Sequence, residues 1–68
     1  MKNTTKLKNI LQLYMVSLDI DQDMNFYLTM INKTKKSAET FIDKSYTVII
    51  GKAFSYMMKE IKKNQKDT

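Results

Sequence analysis

The chain has no cysteine and no histidine, and these two absences exclude several kinds of structure. Without cysteine there is no disulfide, and without cysteine or histidine a structural zinc site of the usual kind cannot form. A chain of 68 residues buries only about 60% of the surface that its unfolded form exposes. We therefore expect the fold to depend on packing, on oligomerisation or on a bound partner.

The same absences limit the chemistry that the chain can perform. Histidine is the commonest general base and cysteine a common activated nucleophile. The sequence has a single glycine, so it has no Gly-rich loop of the kind that cradles nucleotide phosphates. A chain this short also leaves little room for a closed pocket. The sequence therefore predicts a protein that is not an enzyme and has no cofactor and no small-molecule substrate.

Long hydrophobic runs are absent as well. No apolar run is longer than four residues, whereas a membrane span needs about 20. The lysine-rich start of the chain lacks the apolar region of about 7–15 residues that a signal peptide requires. We expect an intracellular, cytoplasmic location and no membrane partner.

Arginine is missing too, so all twelve basic residues are lysines, against seven acidic residues. The net charge of +5 favours association with polyanions. Lysine is a compact positive charge that suits phosphate, whereas arginine is better at reading base edges, so the composition favours contact with a nucleic-acid backbone. Abundant Lys, Asn, Ile and Met without Arg, Pro, His or Trp is also what an AT-rich genome produces. The composition leaves both explanations open.

Two periodicities divide the first half of the chain. Residues 14–20 and 24–31 alternate between apolar and polar side chains, which indicates two half-buried strands. The polar segment 21–23 joins them as a hairpin turn. Before them, the i, i+3, i+4, i+7 spacing of an amphipathic helix is formed by Leu7, Ile10, Leu11 and Tyr14.

The second half contains a long amphipathic helix over residues 45–66, with a broad apolar arc on one side and lysines on the other. Asp43 or Ser45 is placed to cap it. Residues 38–43 indicate a third strand, although they could also belong to the first turns of this helix. A rival interpretation ends a strand at Gly51, because the four residues before the glycine are β-branched.

The predicted fold class is α+β, in the order α-β-β-β-α. A small antiparallel sheet of two to three strands is flanked by a short N-terminal helix and a long amphipathic C-terminal helix. We expect one domain over residues 1–68, with residues 1–5 and 65–68 frayed. If both helices cover one face of the sheet, the buried strand residues are Tyr14, Val16, Leu18, Ile20, Phe26, Leu28 and Met30.

Asp19, Asp21 and Asp23 have the D-x-D-x-D spacing that opens an EF-hand calcium loop. The sixth position of that loop needs glycine and the twelfth needs glutamate, but here they are Met24 and Met30. We therefore interpret the three aspartates as a solvated hairpin turn and predict no metal site.

The lysines concentrate in the loop at residues 32–37 and on the outward face of the last helix. A solvated surface is the commonest role of such lysines, and the alternative is a surface that contacts several phosphates. Two tyrosines at the margin of the core could stack on a base or anchor a partner. The candidate binding residues are Lys33, Lys35, Lys36, Lys44, Lys52, Lys59, Lys62, Lys63, Lys66, Tyr27 and Tyr56.

The order α-β-β-β-α and the lysine-rich loop resemble those of double-stranded-RNA-binding domains. That family opens its last helix with a K-K-x-A-K cluster, whereas residues 44–48 read K-S-Y-T-V here, so no binding residue is carried over. The β-β-β-α portion is similar to small antitoxin domains of the HicB kind. Likeness of fold does not establish function.

The sequence predicts a small non-enzymatic binding protein that engages RNA or an RNA–protein complex through its lysines. Such a protein suits a phage or mobile element, as an anti-CRISPR-like inhibitor of a host nucleic-acid-guided nuclease. The alternative is a protein–protein module such as a homodimeric antitoxin-like regulator, which would associate through the apolar arc of the last helix. In that case the residues that matter most are Phe54, Tyr56, Met57 and Met58.

Overall fold

The computed structural model describes residues 2–65, with side chains up to residue 63. It confirms the predicted α-β-β-β-α order and the third strand. The final helix continues through Gly51, so the rival strand ending at that glycine is wrong. The elements are α1 (Asn3–Leu13), β1 (Tyr14–Ile20), β2 (Phe26–Asn32), β3 (Ala38–Asp43) and α2 (Tyr46–Gln65).

The three strands form one antiparallel sheet in the order β1-β2-β3. The register is regular throughout: Leu18 lies opposite Leu28, and Leu28 lies opposite Phe41. Residues that face each other across strands share a face of the sheet. Both outer strands, β1 and β3, are edges.

The core lies between the sheet and the two helices. Its members are fully or almost fully buried, and α2 supplies half of them. The apolar arc of α2 is therefore used inside the protomer, and of the four residues proposed for an apolar-arc dimer only Met58 is exposed. The buried core residues are Ile10, Tyr14, Leu28, Met30, Ile49, Ile50, Ala53 and Met57.

The predicted burial of Leu18 and Ile20 is wrong, because each is 44% exposed. Both residues lie on the side of β1 that faces the helices, but α2 packs over β2 and β3 instead. The other helix, α1, buries only Ile10, which comes before the start of β1. The far end of β1 is therefore left uncovered. Val16 and Phe26, also expected in the core, are only partly buried against it.

Local hydrogen bonds fix the start of α2, as the sequence predicts. The Ser45 hydroxyl accepts from the Val48 N–H at 3.3 Å, and the Asp43 carboxylate accepts from the Ser45 N–H at 2.9 Å. These bonds satisfy donors that a helix start otherwise leaves open. The 20 residues of α2 span about 30 Å, more than the roughly 23 Å of a seven-residue strand. The last turns of α2 therefore reach beyond the sheet.

Candidate nucleic-acid interface

The fold brings the two main lysine sets to the same end of the molecule. The β2–β3 loop and the last turns of α2 line one cavity of about 230 Å³, with Thr34 and Lys35 on one side and Glu60 and Ile61 on the other. We call this region the basic end. Its lysines are all exposed: Lys33, Lys35, Lys36, Lys59, Lys62 and Lys63.

The β2–β3 loop is a tight turn organised by Asn32. The Asn32 side-chain oxygen accepts from the N–H groups of Thr34 and Lys35, both at 2.8 Å. The Asn32 carbonyl accepts from the Lys36 N–H at 2.9 Å, and Lys36 has a left-handed backbone with φ 63°. A non-glycine residue rarely adopts that conformation. The loop therefore holds its lysines on a defined backbone.

Lys33 links this loop to the first helix. Its ammonium donates to the Leu11 carbonyl at 2.9 Å, and its backbone N–H donates to the Leu13 carbonyl at 3.1 Å. A cation at the last carbonyls of a helix is favourable because it complements the helix dipole. Lys33 thus has a structural role in addition to its place at the basic end.

The helical half of the basic end is built from the last turns of α2. Lys62 and Lys63 lie in the final turn, where positive charge again complements the helix dipole. Glu39 and Glu60 lie at the same end, so the charge there is not purely positive. The predicted site residue Lys66 lies outside the described residues.

Carboxylates gather at the opposite end of the sheet. We call Asp19, Asp21 and Asp23 the acidic turn. The Asp21 carboxylate accepts from the N–H groups of Asp23 and Asn25, both at 2.9 Å, from the Asn25 side-chain amide at 3.3 Å and from the Tyr27 hydroxyl at 2.9 Å. These bonds, that of the Asn25 N–H first, lower the pKa of Asp21. The hairpin turn predicted here is confirmed. Over residues 2–65, no cluster of three side chains suits a metal ion.

Lys44 lies away from the basic end, whereas Lys52 lines a groove on α2 that also includes Lys59. Lys52 forms a salt bridge of 3.1 Å with Asp43, where β3 ends, and Lys44 is exposed between β3 and α2. The Ser45 N–H and then the Lys52 ammonium lower the pKa of Asp43. The structure therefore does not bring the whole predicted lysine set together at the basic end.

Both candidate tyrosines have structural partners. Tyr27 lies on the face of the sheet that no described helix covers, opposite Asp19 and Ile42, and the hydrogen bond to Asp21 raises its pKa. The Tyr56 ring lies between those of Tyr14 and Phe41, at 6.5 and 5.9 Å. Burial raises the pKa of Tyr56. Tyr27 lies away from the basic end, whereas Tyr56 lines one groove with Lys59.

A further lysine contact was not predicted from the sequence. The Lys6 ammonium lies 5.8 Å from the centre of the Phe54 ring, a cation–π arrangement between α1 and α2. To predict this contact, one would need to know which face of α1 packs against α2. The spacing of residues within a single helix does not contain that information.

Neither described helix combines the length and the apolar character that a membrane crossing needs. Comparison of the chain with protein-family models, with curated proteins and with solved structures found no match.

Proposed function

We propose that the protein binds RNA, alone or within an RNA–protein complex, through the basic end. The observation that supports this proposal is the convergence of two lysine sets that are far apart in the sequence, while Asp19, Asp21 and Asp23 lie at the other end of the sheet. A charge distribution of this kind orients a small protein toward a polyanion before contact.

The chemistry of the basic end favours phosphate over bases. Its cations are lysine ammonium groups, which act as point charges, and it has no arginine to form paired hydrogen bonds with a base edge. Binding should therefore depend little on base sequence and strongly on salt. Each phosphate contact contributes about 0.7 to the salt slope for a single strand and about 0.9 for a duplex.

The experiment is a titration of labelled RNA at several salt concentrations with two charge-matched variants. The test variant is Lys36→Glu with Lys63→Glu at the basic end, and the control is Lys8→Glu with Lys44→Glu elsewhere. Each variant lowers the net charge of +5 by four, since each substitution changes the charge by two.

The test variant should bind more weakly and lose about 2 from the slope of log affinity against log salt. The control should keep most of the slope. Equal losses in the two variants would show that only net charge matters, and no salt dependence in the parent protein would exclude phosphate binding.

We expect the protein to be the product of a phage or mobile element. Its RNA binding would then serve to inhibit a host RNA-guided nuclease. In a cleavage assay with the RNA-loaded nuclease, inhibition should weaken with the Lys36/Lys63 variant and with excess unrelated RNA. Inhibition that both changes leave intact would point to a protein contact instead.

A further inference from the structure

Exposed apolar side chains are concentrated on and beside β1. Met15 is 59% exposed, and β1 has no lysine, no proline and no bulge, with Asp19 as its one charged residue. Its ladder to β2 is unbroken over all seven residues. The exposed apolar residues of this stretch are Leu11, Leu13, Met15, Leu18 and Ile20.

The hydrogen bonds beyond the two ends of β1 show which backbone groups point outward. The Asp21 N–H donates to Asn25, and the Lys33 N–H donates to the carbonyl of Leu13, both at 3.1 Å. Because bonded pairs alternate in an antiparallel ladder, the odd-numbered residues of β1 bond to β2. The N–H and C=O groups of Val16 and Leu18 therefore point away from the sheet.

Both ends of this outer edge are already closed by the chain itself. The Ile20 N–H donates to the Asp19 carboxylate at 2.8 Å, and the Tyr14 N–H donates to the Ile10 carbonyl of α1. The outward donors between them belong to Val16 and Leu18, which are placed symmetrically about Ser17.

Charge also distinguishes this region from the rest of the molecule. None of the twelve lysines falls within residues 9–32, which include β1, β2 and the acidic turn. A genome-wide bias toward lysine would spread lysines over the whole chain and would not leave one contiguous segment without them. The β1 edge has no lysine of its own, so two copies of a chain of charge +5 can approach there without lysine meeting lysine.

We propose that two copies of the chain pair through β1, antiparallel and about a twofold axis at Ser17. Val16 of one copy and Leu18 of the partner subunit then exchange both backbone hydrogen bonds, twice by symmetry. The pairing joins the two three-stranded sheets and covers the exposed side chain of Leu18. This proposal does not rest on RNA binding.

The antiparallel arrangement is complementary in charge. It places the start of β1, next to Lys33, beside Asp21 of the partner subunit. The two side chains lie about two strand spacings apart, roughly 10 Å, which is comparable with the screening length at about 0.1 M salt. This attraction is small beside the repulsion between two chains of charge +5, which salt also screens, so the dimer should not depend on low salt.

A single cysteine tests the pairing, because the chain has no other. At the axis, Ser17 faces Ser17 of the partner subunit in a non-bonded pair with Cα atoms about 4.5 Å apart, within the range of a disulfide. The Ser17→Cys variant should become a disulfide dimer under mild oxidation. The control Thr40→Cys, at an exposed position on the opposite edge strand, should cross-link far more slowly.

Sedimentation of the unmodified protein completes the test. Its mass should rise with concentration from 8.0 kDa toward twice that value. A constant mass of 8.0 kDa would overturn the proposal, as would Ser17→Cys cross-linking no faster than Thr40→Cys. Loss of RNA binding in the Lys36/Lys63 variant with the dimer intact would separate the two proposals.

Discussion

At Asp21, one carboxylate organises the entire β1–β2 turn. It accepts bonds from backbone, amide and phenol donors within six residues of itself. Met24, where the chain reverses, has a left-handed backbone with φ 66°, and its N–H donates to the Asp21 carbonyl at 3.1 Å. The aspartate spacing that suggested calcium therefore belongs to a turn that Asp21 stabilises, and the same hydrogen bonds lower the pKa of Asp21.

The lowered pKa values of Asp21 and Asp43 predict a loss of stability in acid. An unfolded aspartate has a pKa near 3.9, so the unfolded chain binds protons more tightly than the folded one. The contribution is present above about pH 4 and is lost as the pH falls through the lower folded values.

Urea unfolding at a series of pH values checks this prediction. The Asp21→Asn variant should be less stable than the parent near pH 6, and its stability should change less between pH 5 and pH 2. A parent protein whose stability is constant over that range would contradict the pKa assignment.

At the scale of elements, α2 contains a glycine that its own packing does not require. A Cβ atom at Gly51 would meet nothing within 4 Å, and the glycine has no positive φ. Gly51→Ala should therefore stabilise the protein by about 1 kcal/mol. In a thermal melt the midpoint should rise by several degrees. A lower midpoint would show that the space is needed within the fold.

The pair Leu18 and Leu28 tests which part of the sheet the helices cover. The two side chains lie opposite each other on one face, but Leu28 is fully buried and Leu18 is half exposed. Leu28→Ala should cost about 2–5 kcal/mol, whereas Leu18→Ala should cost roughly 1 kcal/mol or less.

Circular dichroism during urea unfolding measures both costs. A domain this small has about 3–5 kcal/mol in total, so the Leu28 variant should unfold at a much lower urea concentration than the Leu18 variant. Equal costs in the two variants would mean that α1 and α2 cover β1 as fully as β2.

The elements themselves could be predicted from the sequence because their signals are local. Alternation over β1 and β2 and the amphipathic period of α2 each depend on neighbouring residues alone. The exposure of Leu18 and Ile20 could not be predicted, since it depends on where α1 lies over the sheet. The bond from Lys33 to Leu11 is likewise a product of tertiary structure.

In the whole molecule, the location of the candidate site also depends on tertiary structure and could not be predicted from local patterns. The sequence shows two lysine groups and an acidic cluster, but only the strand order places them at opposite ends of the sheet. One feature could be read from the sequence. Residues 9–32 contain no lysine, and this segment includes the β1 edge that we propose for pairing. The two proposals thus assign different surfaces to different partners.

Amide chemical shifts measured during an RNA titration show, residue by residue, whether RNA contacts the basic end as we propose. The largest changes should fall at residues 33–36 and 59–63 and should diminish between about 50 and 200 mM salt. Residues 19–25, in and around the acidic turn, should keep their shifts. Changes centred on that turn, or spread evenly over the chain, would contradict the claim.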